Sequence, residues 1–388
     1  MKHCHAIGKT LDFGPSQIMH CGCPAGNLRP PVVCEFSGGK FPLDVYIDSV
    51  HKLIKENNSE SPPCGPCHHL KEYDSTEEAV VNIPLVSLTI NTVVRCNLRC
   101  VYCGWLSTQS DTHLDAYDVT DTLINMLEQG IVTTSTSVAW GGGEPTISKH
   151  FEKCCDFLIE NNIPQRLHSN GTVYSNAIAK GLSKNLITIV TSIDAGTRET
   201  YSTVKGADLF NNYWDNIKRY AEVNNEKVIV KYIILSGNCD LHEFLEFTEQ
   251  CCEAGVTKVE ITPEFGSLFA GTYKDEFVYG MAVLHNLLIS KGIEVSLMTM
   301  FYNDDQIKII DSFVSNDPHI ITSLRMQIDA TQSKLDTETR KLNEILVQLE
   351  EKKELIPSLQ HSIKAFEQST SWRITKPLRF IKHLIIQK

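Results

Sequence analysis

The sequence predicts an α/β fold, a parallel sheet closed or partly closed as a barrel. A cysteine-rich stretch comes before it and a long helix after it. Three observations carry this. Apolar, β-branched runs alternate with amphipathic segments across residues 84–301. Cysteines crowd the region ahead of that alternation and its first turn. A seven-residue apolar repeat runs through 318–367.

Residues 1–83 are rich in Cys, Pro and Gly, with one helix expected over 43–56 (LDVYIDSVHKLIKE). They read as an auxiliary metal-binding domain. The next stretch, 84–301, decides the fold. Strand runs sit at 86–94, 136–140, 165–169, 186–193, 227–235 and 258–262. Helical patterns fall between them near 115–129, 148–161, 174–183, 209–223 and 241–254. Such alternation gives βαβ units on a parallel sheet, and six repeats suit a barrel or partial barrel. A helix at 275–291 and a strand at 293–300 are placed to close its edge. Chemistry in such barrels gathers at the carboxyl ends of the strands.

In 318–367, Ile321, Ile328, Leu335, Leu342, Leu349, Ile356 and Ile363 recur every seven residues. The companion positions are mixed: Leu324, Thr331, Glu338, Ile345, Lys352, Leu359 and Phe366. The seam predicts a coiled coil and self-association; the alternative is one amphipathic helix folded onto the barrel. Pro357 predicts a kink or break. Residues 368–388 carry Arg373, Lys376, Arg379, Lys382 and Lys388 and no acid, with Leu378, Ile381, Leu384 and Ile385 on one face. This basic amphipathic tail suits an anionic membrane surface, a docking helix or a frayed end.

The 388 residues carry 36 Lys and Arg against 47 Asp and Glu, a net charge of −11. An acidic chain is a poor general binder of nucleic acid. No apolar run is long enough to span a bilayer, and MKHCHAIGKT lacks a signal-peptide core. The expected location is cytoplasmic, peripheral to the membrane if the tail binds it. There the 14 cysteines stay reduced, and their clustering reads as metal sites before disulfides.

The most informative string is RCNLRCVYCGW, which sets Cys96, Cys100 and Cys103 on one loop beyond the first strand. Three thiolates suit three irons of a 4Fe–4S cluster and leave the fourth open to chelate a small molecule. A zinc knuckle is the alternative, but no fourth ligand lies close by. WGGGEPT (140–146), HSNGT (168–172) and SIDAGTRETY (192–201) end the next three strands. Together the four strings resemble the radical SAM superfamily over about 86–265, with SPASM-like features.

The resemblance implies a partial (β/α)6 TIM-type barrel and a 4Fe–4S cluster on Cys96, Cys100 and Cys103. It implies S-adenosylmethionine on the open iron, reductive cleavage to a 5′-deoxyadenosyl radical, and hydrogen abstraction from a substrate. It also implies an electron donor such as flavodoxin or ferredoxin. Gly142 and Gly143 would let backbone approach the methionine amino group, with Glu144 hydrogen-bonding it. Ser192 and Asp194 would meet the ribose hydroxyls, Asn170 the carboxylate end, and Tyr102 the adenine. Tight-turn glycines, an N-cap at Asp194 and ordinary packing at Tyr102 are the alternatives. Lys231 faces either the pocket or solvent.

In the amino-terminal stretch, Cys4, Cys21, Cys64 and Cys67 are the candidate ligands of a second 4Fe–4S cluster. Cys23 and Cys34 are possible substitutes. Zinc is the alternative, with His68 or His69 joining. SPASM-type clusters follow the barrel, whereas these cysteines precede it. Cys154, Cys155, Cys251 and Cys252 read as buried core. Cys239 reads as a loop cysteine or a hydrogen-atom donor at the mouth. The SWRITKPLR string resembles tails of bacterial surface-polysaccharide glycosyltransferases. It favours a carbohydrate or glycan substrate, while the SPASM-like features favour a peptide; a non-catalytic Fe–S scaffold is the rival.

Overall fold

The computed structural model describes residues 2–22, 30–65, 67, 69–72, 81, 83–105, 117–299, 302–314 and 318–370. Residues 1–321 form one compact unit and 322–388 a second. In the first unit, seven parallel strands run β6 (Ser87–Ile90), β7 (Ser137–Trp140), β8 (Gln165–Ser169), β9 (Ile187–Ser192), β10 (Val228–Ile234), β11 (Lys258–Pro263) and β12 (Glu294–Leu297). Each falls within, or a residue beyond, the run that predicts it.

The amino-terminal stretch extends this same sheet. Strand β2 (Thr10–Phe13) pairs parallel to β6, and β3 (Gln17–Met19) and β4 (Val32–Glu35) continue antiparallel. The result is a ten-stranded sheet with β12 and β4 at its two edges, an open rather than closed barrel among the described residues. The paired short strands β1 (Lys2–His3) and β5 (Lys71–Glu72) lie apart from it. Cysteine-rich composition hid the continuity, because β2 to β4 are only three or four residues long. Strands so short leave little periodic pattern to read.

Helices α1 (Leu43–Asn57), α2 (Thr120–Glu128), α3 (Phe151–Glu160), α4 (Asn176–Ser183), α5 (Arg198–Lys205), α6 (Phe210–Asn224), α7 (Leu241–Glu253), α8 (Phe265–Phe269), α9 (Asp275–Ser290) and α10 (Asp304–Phe313) occupy the connections and the carboxyl end of this unit. Strand residues alternate between two faces. Leu88, Val138, Leu167, Ile189, Val230 and Ile261 are wholly or almost wholly buried, as are Phe151, Ile178, Ile217, Tyr220 and Phe247 of the helices. The other strand face is more open, as at Ser192 and Lys231.

Helix α5 escaped prediction because its apolar content is low; its caps define it. Thr197 accepts from the Thr200 N–H, and Gly206 ends the helix at φ 68°. Buried Glu243 of α7 accepts from the Gly196 N–H at 2.7 Å and from the Thr197 and Thr200 hydroxyls at 2.6 and 2.7 Å. A carboxylate at a helix start also meets the positive end of its dipole. Of the paired cysteines, Cys154, Cys155 and Cys251 are buried, but Cys252 is exposed, one residue further round α7. No described cysteine is in a disulfide.

In the second unit, α11 (Pro318–Gln368) runs as one 51-residue helix through Pro357, where the sequence predicts a break. Proline removes one helical bond, a loss water can make good on an exposed helix. From Leu335 onward the seam is open to solvent: Leu335, Leu342, Leu349, Ile356 and Ile363 are each more than half exposed. Among the described residues no helix is long and apolar enough to cross a membrane. The basic tail lies outside the described residues from 371 onward.

The β2–β6 junction holds a buried acid. Asp12 is 2% exposed, and both its oxygens accept from the Asn91 amide at 3.1 and 3.0 Å. Burial pushes its carboxyl from 3.8 up to about 7, against the smaller downward pull of Asn91. Between those two values the folded state holds a proton that the unfolded chain releases. Stability therefore falls as pH rises across that window, by at most about 1.4 kcal/mol per unit from this group. Denaturant unfolding of Asp12→Asn should show a shallower loss between pH 5 and 7 than the wild type; parallel pH curves would disprove it.

Candidate active site

The loop after β6 has little regular structure, so its shape depends on its neighbours. Three sets of contacts hold it. The first is the glycine loop after β7. Gly141 N–H donates to Ile90 O at 3.1 Å, Gly143 N–H to Val93 O at 2.7 Å and Glu144 N–H to Arg95 O at 2.8 Å. A β-carbon on Gly143 would stand 2.2 Å from Arg95 O, and one on Gly142 2.8 Å from Val93 O. Close approach of the cysteine loop's own backbone thus accounts for both glycines.

The second is the end of α5. Arg99 N–H donates to Lys205 O at 2.8 Å, and Val101 N–H to Val204 O at 3.0 Å. The third is a buried polar knot. The Lys205 ammonium pairs with Asp194 and donates to the Tyr102 hydroxyl at 2.7 Å, while Tyr102 donates to Asp194. The other Asp194 oxygen accepts from the Ile233 N–H at 2.6 Å. The Lys205 and Asp194 side chains are 2% and 0% exposed. Asp194 also sits at φ 55°, the left-handed region that Asp tolerates better than most residues.

Around this loop lies a cavity of about 210 Å³. Cys96, Cys100, Cys103 and Tyr102 line it, with Gly142, Gly143, Glu144, Asn170, Ser192 and the unforeseen Lys205. Every residue read from the sequence at this site borders the cavity except Asp194 and Lys231. The Asp194 carboxylate is spent on Lys205, Tyr102 and backbone rather than turned toward a ribose. Lys205 was missed because a lone lysine in an amphipathic string gives no signal until the fold brings it to Asp194.

Glu144 is 1% exposed and fixes the turn after β8. It accepts from the Ser169 hydroxyl at 2.8 Å, the Asn170 N–H at 2.6 Å and the Thr146 hydroxyl at 2.6 Å. Asn170 in turn donates to Asn97 at 2.7 Å and to the Cys96 sulfur at 3.6 Å. The β7 motif thus holds the β8 turn, and the β8 turn holds the cysteine loop. Burial pushes the Cys96 and Cys100 thiols up, and the Lys205 cation draws Cys100 back down.

A second cavity, of about 120 Å³, lies in the amino-terminal part. Cys4, Cys21, Cys64 and Cys67 all line it, together with His5, His20 and His69. Cys67 N–H donates to Cys64 O at 2.9 Å, a tight turn, and Cys64 N–H to Asn57 at 3.0 Å. Cys34 does not line it, and Cys23 and His68 lie outside the described residues. No three His, Cys, Asp or Glu side chains among the described residues are gathered tightly enough to hold a single metal ion. The assignment of these thiols rests on shared cavities and donor chemistry. Cys239 lines neither cavity; its thiol points to Glu276 O at 3.8 Å, and burial pushes it up to about 11.

The radical SAM superfamily model matches residues 90–262, from the last residue of β6 into β11, including the loop just described. Over that stretch the chain resembles a radical SAM domain. Among relatives, the Cysteine-type anaerobic sulfatase-maturating enzyme of Clostridium perfringens is 28% identical over 33% of this chain and 37% of its own length. A Probable GTP 3′,8-cyclase of Methanothermobacter thermautotrophicus is 26% identical over 44% of this chain and 55% of its own. The chain thus spans about a third to just over half of the length of these curated relatives. Streptococcus suis SuiB bound to precursor peptide SuiA superposes with a TM-score of 0.45 at 16% identity, covering 71% of this chain and 58% of that one.

Removing the Lys205 cation leaves the buried Asp194 carboxylate charged without its partner. Lys205→Met should cost about 3–5 kcal/mol of folding stability, visible as a lower midpoint in denaturant. A midpoint within error of wild type would show that the pair does not hold the loop.

Proposed function

We propose that this protein is a radical SAM enzyme, with a 4Fe–4S cluster held by Cys96, Cys100 and Cys103. The single observation that carries the reading is that three thiols on one loop share one cavity with the glycine loop, Asn170 and Ser192. The donor set fits the group: three soft sulfur ligands leave a fourth position to a second ligand. When bound, the cluster and S-adenosylmethionine would supply reductive cleavage of a sulfonium C–S bond and a radical able to take a substrate hydrogen.

The chain's own residues position and insulate that chemistry. Tyr102 is held by Lys205 and Asp194, so its ring is fixed at the cavity wall. Glu144 and Asn170 lock the β8 turn beside Cys96. Ser192 offers a hydroxyl on the inner face for a ribose or carboxylate oxygen. Asp194 acts here as a positioning residue through Tyr102 and Lys205.

In the same reading, Cys4, Cys21, Cys64 and Cys67 hold a second 4Fe–4S cluster. Four thiols around one cavity support it. As for substrate, maturase names among the relatives, including Mycofactocin maturase MftC of Mycobacterium ulcerans, favour a peptide or protein. The carbohydrate reading rests on tail residues outside the described structure. The exposed seam of α11 supports pairing with a second copy of the chain.

Iron and sulfide content after anaerobic reconstitution tests the two-cluster reading. About eight irons, falling to about four in a Cys96/Cys100/Cys103→Ala variant, is the expected result. About four falling to none would leave the amino-terminal thiols without iron. Iron unchanged in the variant would overturn the assignment of the cysteine loop.

A further inference from the structure

On the inner face of the sheet, Arg166, Lys231 and Glu260 form a cluster of charges that the proposed cofactor site does not use. The cross-strand register sets Ser192 of β9 beside Lys231 of β10, and Lys231 beside Glu260 of β11. Ser192 lines the cysteine-loop cavity, whereas Lys231 and Glu260 do not. They continue the same row of the sheet one and two strands further on, at roughly 5 Å per strand. Arg166 of β8 reaches the same carboxylate from the other side.

The charges do not balance. Lys231 Nζ is 3.6 Å from Glu260 Oε1, and Arg166 Nη2 is 3.7 Å from Glu260 Oε2. Both contacts are longer than a good charged hydrogen bond. One carboxylate thus faces two cations and satisfies neither closely, leaving a surplus of one positive charge. The Lys231 and Glu260 side chains are 16% and 15% exposed and that of Arg166 42%, so water screens the surplus poorly at Lys231 and better at Arg166. His168, on the cavity wall between Arg166 and the cysteine loop, stays neutral near pH 7. Enclosure in the cleft first, then the Arg166 and Lys231 cations, push its imidazole down to about 4.

We infer that Arg166 and Lys231 form a subsite for a carboxylate of the substrate on the inner face of the sheet, next to the cofactor cavity. The inference rests on the radical SAM reading above and names a substrate group within it. A surplus of one charge matches a singly charged carboxylate. A phosphoryl dianion would leave an excess negative charge beside Glu260, which acts as the repulsive element. Bound between two cations, the carboxylate would fix the substrate's orientation relative to the cavity.

The test uses the full reconstituted chain and three probes: N-acetylglycine, its neutral amide, and inorganic phosphate. Binding is followed by calorimetry, alongside S-adenosylmethionine binding as an independent measurement. Wild type should bind N-acetylglycine saturably and more tightly than phosphate or the amide. Lys231→Gln and Arg166→Gln should each weaken it about tenfold, and Glu260→Gln should tighten it. Affinity for S-adenosylmethionine should stay within about twofold in all three variants.

No saturable binding in wild type, or equal binding in both cation variants, would overturn the subsite. So would tighter binding of phosphate. If the variants lose S-adenosylmethionine instead, the cations serve that molecule and the subsite is wrong. Wild type that fails to bind S-adenosylmethionine at all would sink the radical SAM reading, a separate result from these.

Discussion

The fold depends most on how an irregular loop of cysteines is held still. Three thiols cannot share a metal cluster unless the backbone between them is fixed, and this loop has few internal bonds to fix it. The constraint comes from a buried ion pair, Lys205 with Asp194, joined by the Tyr102 hydroxyl. Such pairs add little net stability, but breaking one leaves a bare charge without water. That penalty makes the geometry all-or-none, and it ties together the ends of β6, β9 and α5. Backbone bonds from the glycine loop and from the end of α5 then set the remaining loop positions.

Much of the architecture was legible because it repeats. Period-two apolar runs and intervening helical segments located β6 to β12 closely, since one face of each strand packs under the helices while the other is more open. What failed to show was short or polar. Strands β2 to β4 carry too few residues for a period, so their addition to the sheet was invisible. Helix α5 is set by caps rather than by an apolar stripe. Pro357 signals a break that an exposed helix can tolerate.

The site divides in the same way. Cys96, Cys100, Cys103, Gly142, Gly143, Glu144, Asn170, Ser192 and Tyr102 could be named from strings at strand ends, because strand ends of such sheets converge. Roles were harder to read than places. The glycines make room for the cysteine loop's backbone, and Asp194 turns inward to Lys205. Those facts depend on contacts between residues far apart in sequence, which no local motif encodes. The row from Ser192 to Glu260 is likewise a property of strand register, not of any one string.

The most direct test is product formation from S-adenosylmethionine by the anaerobically reconstituted, chemically reduced protein. The account predicts 5′-deoxyadenosine and methionine in equal amounts, lost in a variant lacking Cys96, Cys100 and Cys103. Reduced protein with a full iron complement that forms neither product would contradict it.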